Sequence, residues 1–330
     1  MGSGEDRRER LEEPAPGPSG GDPGEDRAES VAQLAEGRRV AAIERYAGPV
    51  QTSEGTFVGA DGLRLFERCW RPDLPVAPRA ILAIVHGFGE HGGRYAPFAE
   101  FFVPRGYAVH ALDLRGHGRS PGKRGHVDAW RQFREDVAAF LAHVRAAEPE
   151  GRLFLYGHSL GGAIVLEFGL HGPEGLAGVI VSAPALDPSG VRDPGLEALA
   201  RVLSRLWPSF SVKVPLERAA LSRRREASEA PAHDSLMHGR LSARAVTETA
   251  RALQWTRARA GAWRLPLLVV HGDADRIVTP DGSRAFVAGA RAGGAPDVEL
   301  RLYEGGYHEP HRDLEAPEVL ADIAAWMDRR

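Results

Sequence analysis

Gly157-His158-Ser159-Leu160-Gly161 is the stretch of sequence that decides the fold. An apolar run over 153–156 precedes it and a helical pattern over 162–168 follows it, which indicates a strand, a sharp turn and a helix. Because glycines lack a Cβ atom, the strand and the helix can approach closely around the serine. Such a turn strains the serine backbone and projects its hydroxyl above the sheet edge. The helix N-terminus behind it favours developing negative charge.

Strands and helices alternate along the rest of the chain. Residues 56–59 and 63–70 flank a turn and predict a hairpin. Further strands are predicted over 80–85, 107–112, 153–156, 178–182, 267–270 and 298–302, and helices over 128–146 and 317–327. A G-x-S-x-G at a strand-to-helix turn is the nucleophile elbow of the α/β-hydrolases. The sequence therefore predicts an α/β-hydrolase fold, with a mostly parallel central sheet and helices on both faces.

The chain divides into five segments by composition and pattern. Residues 1–30 are rich in Gly, Pro and charged residues and are expected to be a disordered tail. Residues 31–53 favour a short helix and a linker, and the hydrolase core is expected over 54–184 and 239–330. Residues 185–238 interrupt the alternation with prolines, arginines and an apolar stripe at helical spacing. We expect this insertion to form a helical cap, or lid, over the site, since it follows a strand end.

Composition excludes several classes of partner. The 330 residues carry a net charge of −3, which favours no binding to nucleic acid. A single cysteine, Cys69, excludes an internal disulfide and fits a reducing compartment. With no apolar run of membrane-spanning length, the expectation is a cytoplasmic protein that can associate peripherally with a membrane through its cap. Nothing in the residues specifies an oligomeric state.

A serine nucleophile needs a base, and the base needs an orienting carboxylate. In this fold these residues follow in the order Ser, Asp or Glu, His. Asp275 and Asp273 both follow the predicted strand over 267–270, and Asp275 is the better candidate. For the base, His308 follows the strand over 298–302, and His311 is its rival, three residues further on.

The oxyanion of the reaction needs two backbone N–H groups aimed at one point. Leu160, directly after the serine, and Phe88, in the loop after the strand over 80–85, are the predicted donors. We expect no metal site, because the nearby histidines lack partners at metal-ligand spacing. An apolar lining for an acyl chain is predicted from four cap residues, Leu199, Leu203, Leu206 and Trp207.

Four motifs resemble those of the monoacylglycerol lipases and related lysophospholipases. They are His86-Gly87-Phe88-Gly89-Glu90-His91 followed by Arg94-Tyr95, Asp113-Leu114-Arg115-Gly116-His117-Gly118-Arg119-Ser120, Gly157-His158-Ser159-Leu160-Gly161-Gly162 and Tyr303-Glu304-Gly305-Gly306-Tyr307-His308. The resemblance runs from about residue 54 to 327 and is weakest in the cap. Leu160 stands where methionine is commoner.

The resemblance implies roles for these residues. Ser159 would be the nucleophile, Asp275 the acid and His308 the base, with Phe88 and Leu160 as oxyanion donors. It further implies hydrolysis of fatty-acyl glycerol esters through an acyl-enzyme, without a cofactor, and a mobile cap that admits a lipid-like ester and can meet a membrane. The alternatives are a lysophospholipase or a general carboxylesterase. An acyltransferase and a non-catalytic binding protein of the same fold are weaker alternatives.

Overall fold

The strands predicted from the sequence are present, several with the predicted bounds. The computed structural model describes residue 1 and residues 50–73, 77–187, 194–214 and 217–330. Its strands, in chain order, are β1 (Val50–Val58), β2 (Arg64–Pro72), β3 (Ala80–Val85), β4 (Tyr107–Leu112), β5 (Arg152–His158), β6 (Gly178–Ser182), β7 (Ser211–Lys213), β8 (Arg240–Ser242), β9 (Leu267–Gly272) and β10 (Val298–Tyr303).

Eight of these strands form the central sheet, in the order β1-β2-β4-β3-β5-β6-β9-β10. The predicted hairpin β1–β2 is antiparallel, as is the pair β2–β4. The remaining pairs are parallel, which confirms the predicted α/β-hydrolase sheet. Since parallel strands run in one direction, the loops after β3, β5, β9 and β10 all emerge at the same edge.

Helices cover both faces of the sheet, as predicted. They are α1 (Ala96–Phe102), α2 (Arg131–Ala147), α3 (Leu160–Gly169), α4 (Pro194–Leu206), α5 (Arg225–Glu229), α6 (Ala243–Ala258), α7 (Asp281–Ala292) and α8 (Ala316–Asp328). Residues of α1 and α8 bury one apolar face, and residues of α2, α3 and α7 bury the other. The predicted start of α2 at 128 is replaced by a turn, in which the Gln132 side chain accepts from the amides of Asp128 and Ala129.

The cap elements lie between β6 and β9. Its short strands β7 and β8 pair as an antiparallel ribbon, and α4 packs against α6. The boundary predicted at 238 therefore falls between two paired strands. Three-residue strands are too short to show an alternating pattern, which is why the sequence did not indicate the pairing.

The start of the core also differs from the expectation. The predicted tail over 1–30 and the helix and linker over 31–53 lie outside the described residues, except for Met1 and 50–53. β1 begins at Val50 rather than at 54, because its pairing with β2 extends to Val50 opposite Pro72. None of the helices in the described ranges combines the length and apolar character of a membrane span.

Candidate active site

Ser159 occupies the sharp turn between β5 and α3, in the strained backbone conformation predicted for it. Its φ is 51° and its ψ is −116°, a backbone conformation that residues other than glycine rarely adopt. The turn requires glycine at 161, where a Cβ atom would lie 2.2 Å from the carbonyl oxygen of Val85. The Ser159 amide donates to the carbonyl of Ser182 at 3.0 Å, which fixes the turn against β6.

The structure brings Ser159, His308 and Asp275 into one hydrogen-bonded chain. The Ser159 hydroxyl donates to His308 Nε2 across 2.9 Å. His308 Nδ1–H donates to Asp275 Oδ2 across 2.7 Å. This tautomer leaves the Nε2 lone pair facing the serine hydroxyl, as a general base requires.

The two aspartates that competed for the acid position have different environments. Asp275 Oδ1 accepts from the amides of Ile277 and Val278 at 2.8 and 3.0 Å. Asp273 instead accepts from the amide of Gly305 at 2.7 Å and does not contact the imidazole of His308. Of the two carboxylates, only that of Asp275 orients the imidazole.

His271 is a contact of the site that sequence reasoning missed. Its Nε2 lies 3.1 Å from Asp275 Oδ2, and its Nδ1 lies 2.9 Å from the Ser283 hydroxyl. His271 lies only four residues before Asp275, too close along the chain for it to act as the base. The signal for this different role was its position at the end of a buried strand, four residues before Asp275.

Burial and neighbouring charges have opposite effects on the pKa values of His308 and Asp275. Burial disfavours the imidazolium of His308, but the Asp275 carboxylate outweighs it, and the pKa of His308 is raised above its ordinary value of 6.5. Burial also disfavours the Asp275 carboxylate, but His308 and His271 together hold its pKa well below the usual range. Asp275 therefore stays ionised and stabilises a proton on His308.

Two further histidines near the site, His311 and His158, are buried and remain neutral. His311, the rival of His308, stacks on Tyr95 with ring centroids 5.5 Å apart, and burial lowers its pKa well below 6.5. His158 lies at 3.1 Å from the carbonyl of Ser182 through Nδ1. Burial and the neighbouring His308 lower the pKa of His158 to about 3, so it remains neutral.

Phe88 and Leu160, the predicted oxyanion donors, line the same cavity as Ser159. Among the described residues, neither backbone N–H has a protein acceptor. The loop that carries Phe88 is fixed by Glu90, whose Oε1 accepts from the Gly87 amide at 2.5 Å. Arg94 donates to Glu90 Oε2 at 2.6 Å. Both Glu90 and Arg94 are buried, so this ion pair braces the loop from inside the protein.

A cavity of about 620 Å³ opens above Ser159 between the core and the cap. Its lining includes six charged side chains, and most of its wall is apolar. The six are Glu90, Arg94, Glu217, Arg257, Arg276 and Glu309. The predicted cap residues Leu199 and Leu203 line this wall.

The prediction for Leu206 and Trp207 is wrong, because neither lines the cavity. They are 79% and 58% exposed on the outside of the cap. The apolar stripe on α4 is wide enough to hold two rows of side chains. Leu199 and Leu203 form the row that faces the cavity, whereas Val202 and Leu206, four residues apart, form an outer row. Trp207 follows the last residue of the helix.

Comparison with known proteins agrees with this architecture. A model of the family described as serine aminopeptidase, S33, matches residues 76–315. A monoacylglycerol lipase of Mycolicibacterium smegmatis is 37% identical over 276 residues, which is 83% of this chain and 96% of that protein. Human monoglyceride lipase is 31% identical over 83% of this chain and 89% of its own.

A solved structure gives the same result. The crystal structure of a monoacylglycerol lipase from Paleococcus ferrophilus has a TM-score of 0.71 and 29% identity, and the match covers 85% of this chain and 98% of that one. The four motifs, the sheet order and these matches agree. The chain therefore belongs to the monoacylglycerol lipase group of the serine α/β-hydrolases.

Proposed function

We propose that the protein hydrolyses the ester bond of a monoacylglycerol, giving a fatty acid and glycerol. The observation that carries this proposal is a hydrogen-bonded Ser159–His308–Asp275 chain at the floor of a largely apolar cavity. The activity of the M. smegmatis relative, by its name, is of the same kind. Ser159, His308 and Asp275 would carry the reaction as nucleophile, base and orienting acid.

The first half of the reaction forms an acyl-enzyme. Ser159 Oγ bonds to the ester carbonyl carbon while its proton moves to His308 Nε2. The oxyanion that forms accepts hydrogen bonds from the amides of Phe88 and Leu160. When the intermediate collapses, the bond from carbon to the glycerol oxygen breaks, and His308 gives its proton to that oxygen.

The second half releases the fatty acid. Water attacks the acyl carbon as His308 takes one of its protons, and the proton returns to Ser159 Oγ as the serine ester bond breaks. Throughout, the Asp275 carboxylate holds the imidazole and stabilises its cation. No step requires a group beyond these residues and water.

The charged side chains that line the cavity include acceptors for a glycerol head group. Three carboxylates in the lining, those of Glu90, Glu217 and Glu309, face three guanidiniums, those of Arg94, Arg257 and Arg276. Burial opposes the charge on Glu90, but nearby Arg94 holds the pKa of this carboxyl well below its usual range. The glycerol hydroxyls of a monoacylglycerol can donate hydrogen bonds to the carboxylates of this lining.

A panel of substrates tests the function. Hydrolysis of monoacylglycerols, lysophosphatidylcholines and p-nitrophenyl esters of graded chain length should give the highest kcat/KM for a monoacylglycerol. A higher value for the lysophospholipid would support the lysophospholipase alternative. Equal values for short and long esters, independent of head group, would support a general carboxylesterase.

We further propose that the outer face of the cap contacts a membrane surface. Val202, Leu206 and Trp207 form an outer apolar patch, with 52%, 79% and 58% of their surfaces exposed. Tryptophan beside aliphatic residues is typical of surfaces that insert at the membrane interface. A lipid substrate could then pass from the bilayer into the cavity under the same helix.

Paired serine substitutions on the two rows of α4 should separate chain selection from membrane contact. Leu199→Ser with Leu203→Ser should lower kcat/KM for a long-chain monoacylglycerol about tenfold more than for a butyrate ester, because each buried methylene is worth about 0.8 kcal/mol. Leu206→Ser with Trp207→Ser should leave kcat/KM for both dissolved esters unchanged and weaken cosedimentation with phosphatidylcholine vesicles. Both measurements are made on both double variants.

With both double variants measured in both assays, each of the two proposals can be contradicted separately. If the inner-row variant loses activity on both esters equally with its melting temperature unchanged, the cavity wall does not select acyl chains. If the outer-row variant sediments with vesicles as the unmodified protein does, the outer apolar patch is not a membrane contact.

A further inference from the structure

The loop that carries Phe88 is held from two sides. From the core side, Glu90 accepts from the Gly87 amide, and Asp113 Oδ1 accepts from the Gly92 amide at 2.7 Å. Between these two points the loop contains Gly89, whose φ is +74°, and glycine backbones restrict the chain least. The segment 88–91, here the oxyanion turn, therefore depends on further contacts to keep one geometry.

Those contacts come from residues 234–238 at the end of the cap, here the cap turn. The His238 amide donates to the carbonyl of Gly89 at 2.9 Å. The His238 ring lies edge-on to the ring of Phe88, with centroids 5.9 Å apart. Its Nε2–H donates to the carbonyl of Gly116 at 3.0 Å, in the loop after β4. His238 thus joins the cap to two loops of the core at once.

A second contact joins the other end of the oxyanion turn to the cap turn. His91 Nδ1 accepts from the Gly93 amide at 3.1 Å, which leaves Nε2–H to donate to Asp234 Oδ2 at 2.7 Å. Asp234 is fixed in turn, since its Oδ1 accepts from the Leu236 amide at 2.9 Å. Only 9% of the His91 side chain and 28% of that of Asp234 are exposed, so water competes little for this bond.

We propose that the cap turn positions the oxyanion turn, with Asp234 and His238 as positioning residues for ester hydrolysis. This inference rests on the proposed role of the Phe88 amide. An oxyanion donor acts only within about 2.7–3.1 Å of the developing charge, and a misplacement of about 1 Å can cost on the order of 100-fold in rate. If the cap turn lost its contacts with the oxyanion turn, the cavity would still bind an acyl chain. The enzyme would then stabilise the transition state less well.

Asp234→Ala tests the contact through kinetics on a short, dissolved p-nitrophenyl ester. We expect kcat to fall about tenfold, less than the 10²–10³ of a lost donor, with KM within about twofold. Asp234→Asn keeps one oxygen acceptor, which can serve His91 but not the Leu236 amide at the same time, and should restore part of kcat. His91→Ala should lower kcat by a similar factor. The double variant Asp234→Ala/His91→Ala should have a kcat no lower than that of the less active single variant, because both changes remove the same bond. Glu229→Ala, in an exposed ion pair of the cap with Arg225, is the matched control and should not change kcat.

A second measurement distinguishes a positioning role from a structural one. A trifluoromethyl ketone that adds to Ser159 forms an oxyanion, so its Ki should rise in proportion to the loss of kcat/KM in Asp234→Ala. The Ki of a non-hydrolysable alkyl ether of glycerol, which forms none, should stay the same. His238→Ala, which removes the ring contact with Phe88, should show the same pattern and serves if Asp234→Ala does not fold.

An unchanged kcat in both Asp234→Ala and His238→Ala, or an equal rise in the Ki of ketone and ether, would overturn the inference. Either result would leave the proposed function intact if the unmodified protein hydrolyses a monoacylglycerol and Ser159 reacts with a fluorophosphonate. Failure of those two reactions in the unmodified protein would instead count against the proposed function and the inference together.

Discussion

Replacing Ser159 with alanine should abolish both turnover and covalent labelling by a fluorophosphonate. Ser159 Oγ is the only hydroxyl that donates to His308 Nε2 in the described residues, so no neighbouring group replaces it as nucleophile. Loss of a serine nucleophile costs on the order of 10⁶ in kcat in other serine hydrolases. The measurement is ester hydrolysis together with intact mass after incubation with the probe.

The fold should survive this change, because the alanine Cβ takes the place of the serine Cβ. A melting temperature close to that of the unmodified protein is therefore the control. Labelling that persists in Ser159→Ala, at any site and with turnover intact, would refute the assignment of Ser159 as nucleophile.

Asp275→Asn should cost on the order of 10⁴ in kcat, because the amide no longer holds His308 in the tautomer that accepts the serine proton. A pH profile adds a second readout. His308 must be neutral to act as base, and its pKa is raised above 6.5. In the unmodified protein, kcat/KM should therefore rise with pH through an apparent pKa above 6.5. In Asp275→Asn this limb should move to lower pH, since the charge that favours the imidazolium is gone.

Asp273→Asn is the matched control for this substitution. Its carboxylate accepts from the Gly305 amide, and an asparagine oxygen can accept the same bond. We expect at most a small change in kcat and no shift of the limb. A larger loss in Asp273→Asn than in Asp275→Asn would reverse the assignment of the acid.

The convergence of the three side chains could be predicted because each lies just after a strand of one parallel sheet. Hydrophobic runs located β5, β9 and β10, and parallel strands present their following loops at a common edge. Position in the loop favoured Asp275 over Asp273 but did not show which contacts distinguish the two carboxylates. That distinction depends on the hydrogen bonds of the loop after β9, where the amides of Ile277 and Val278 orient the Asp275 carboxylate.

The cap was less predictable, for a physical reason. A helical stripe as wide as that of α4 has more than one apolar row, and periodicity does not say which row faces inward. Packing of α4 on α6 decides it, placing Leu199 and Leu203 over the cavity and leaving Leu206 outside. The bond between His91 and Asp234 joins residues 143 positions apart, and no local pattern indicates such a contact.

The chain order of the candidate site has a consequence for how activity is gained during folding. The hydrogen bond from Ser159 to His308 closes a loop of 149 residues, and His308 follows the last strand of the sheet. Contacts so distant along the chain form late, because their closure entropy must be overcome first. Recovery of fluorophosphonate reactivity after dilution from denaturant would therefore report completion of the whole sheet, whereas helical circular dichroism would report earlier, local events.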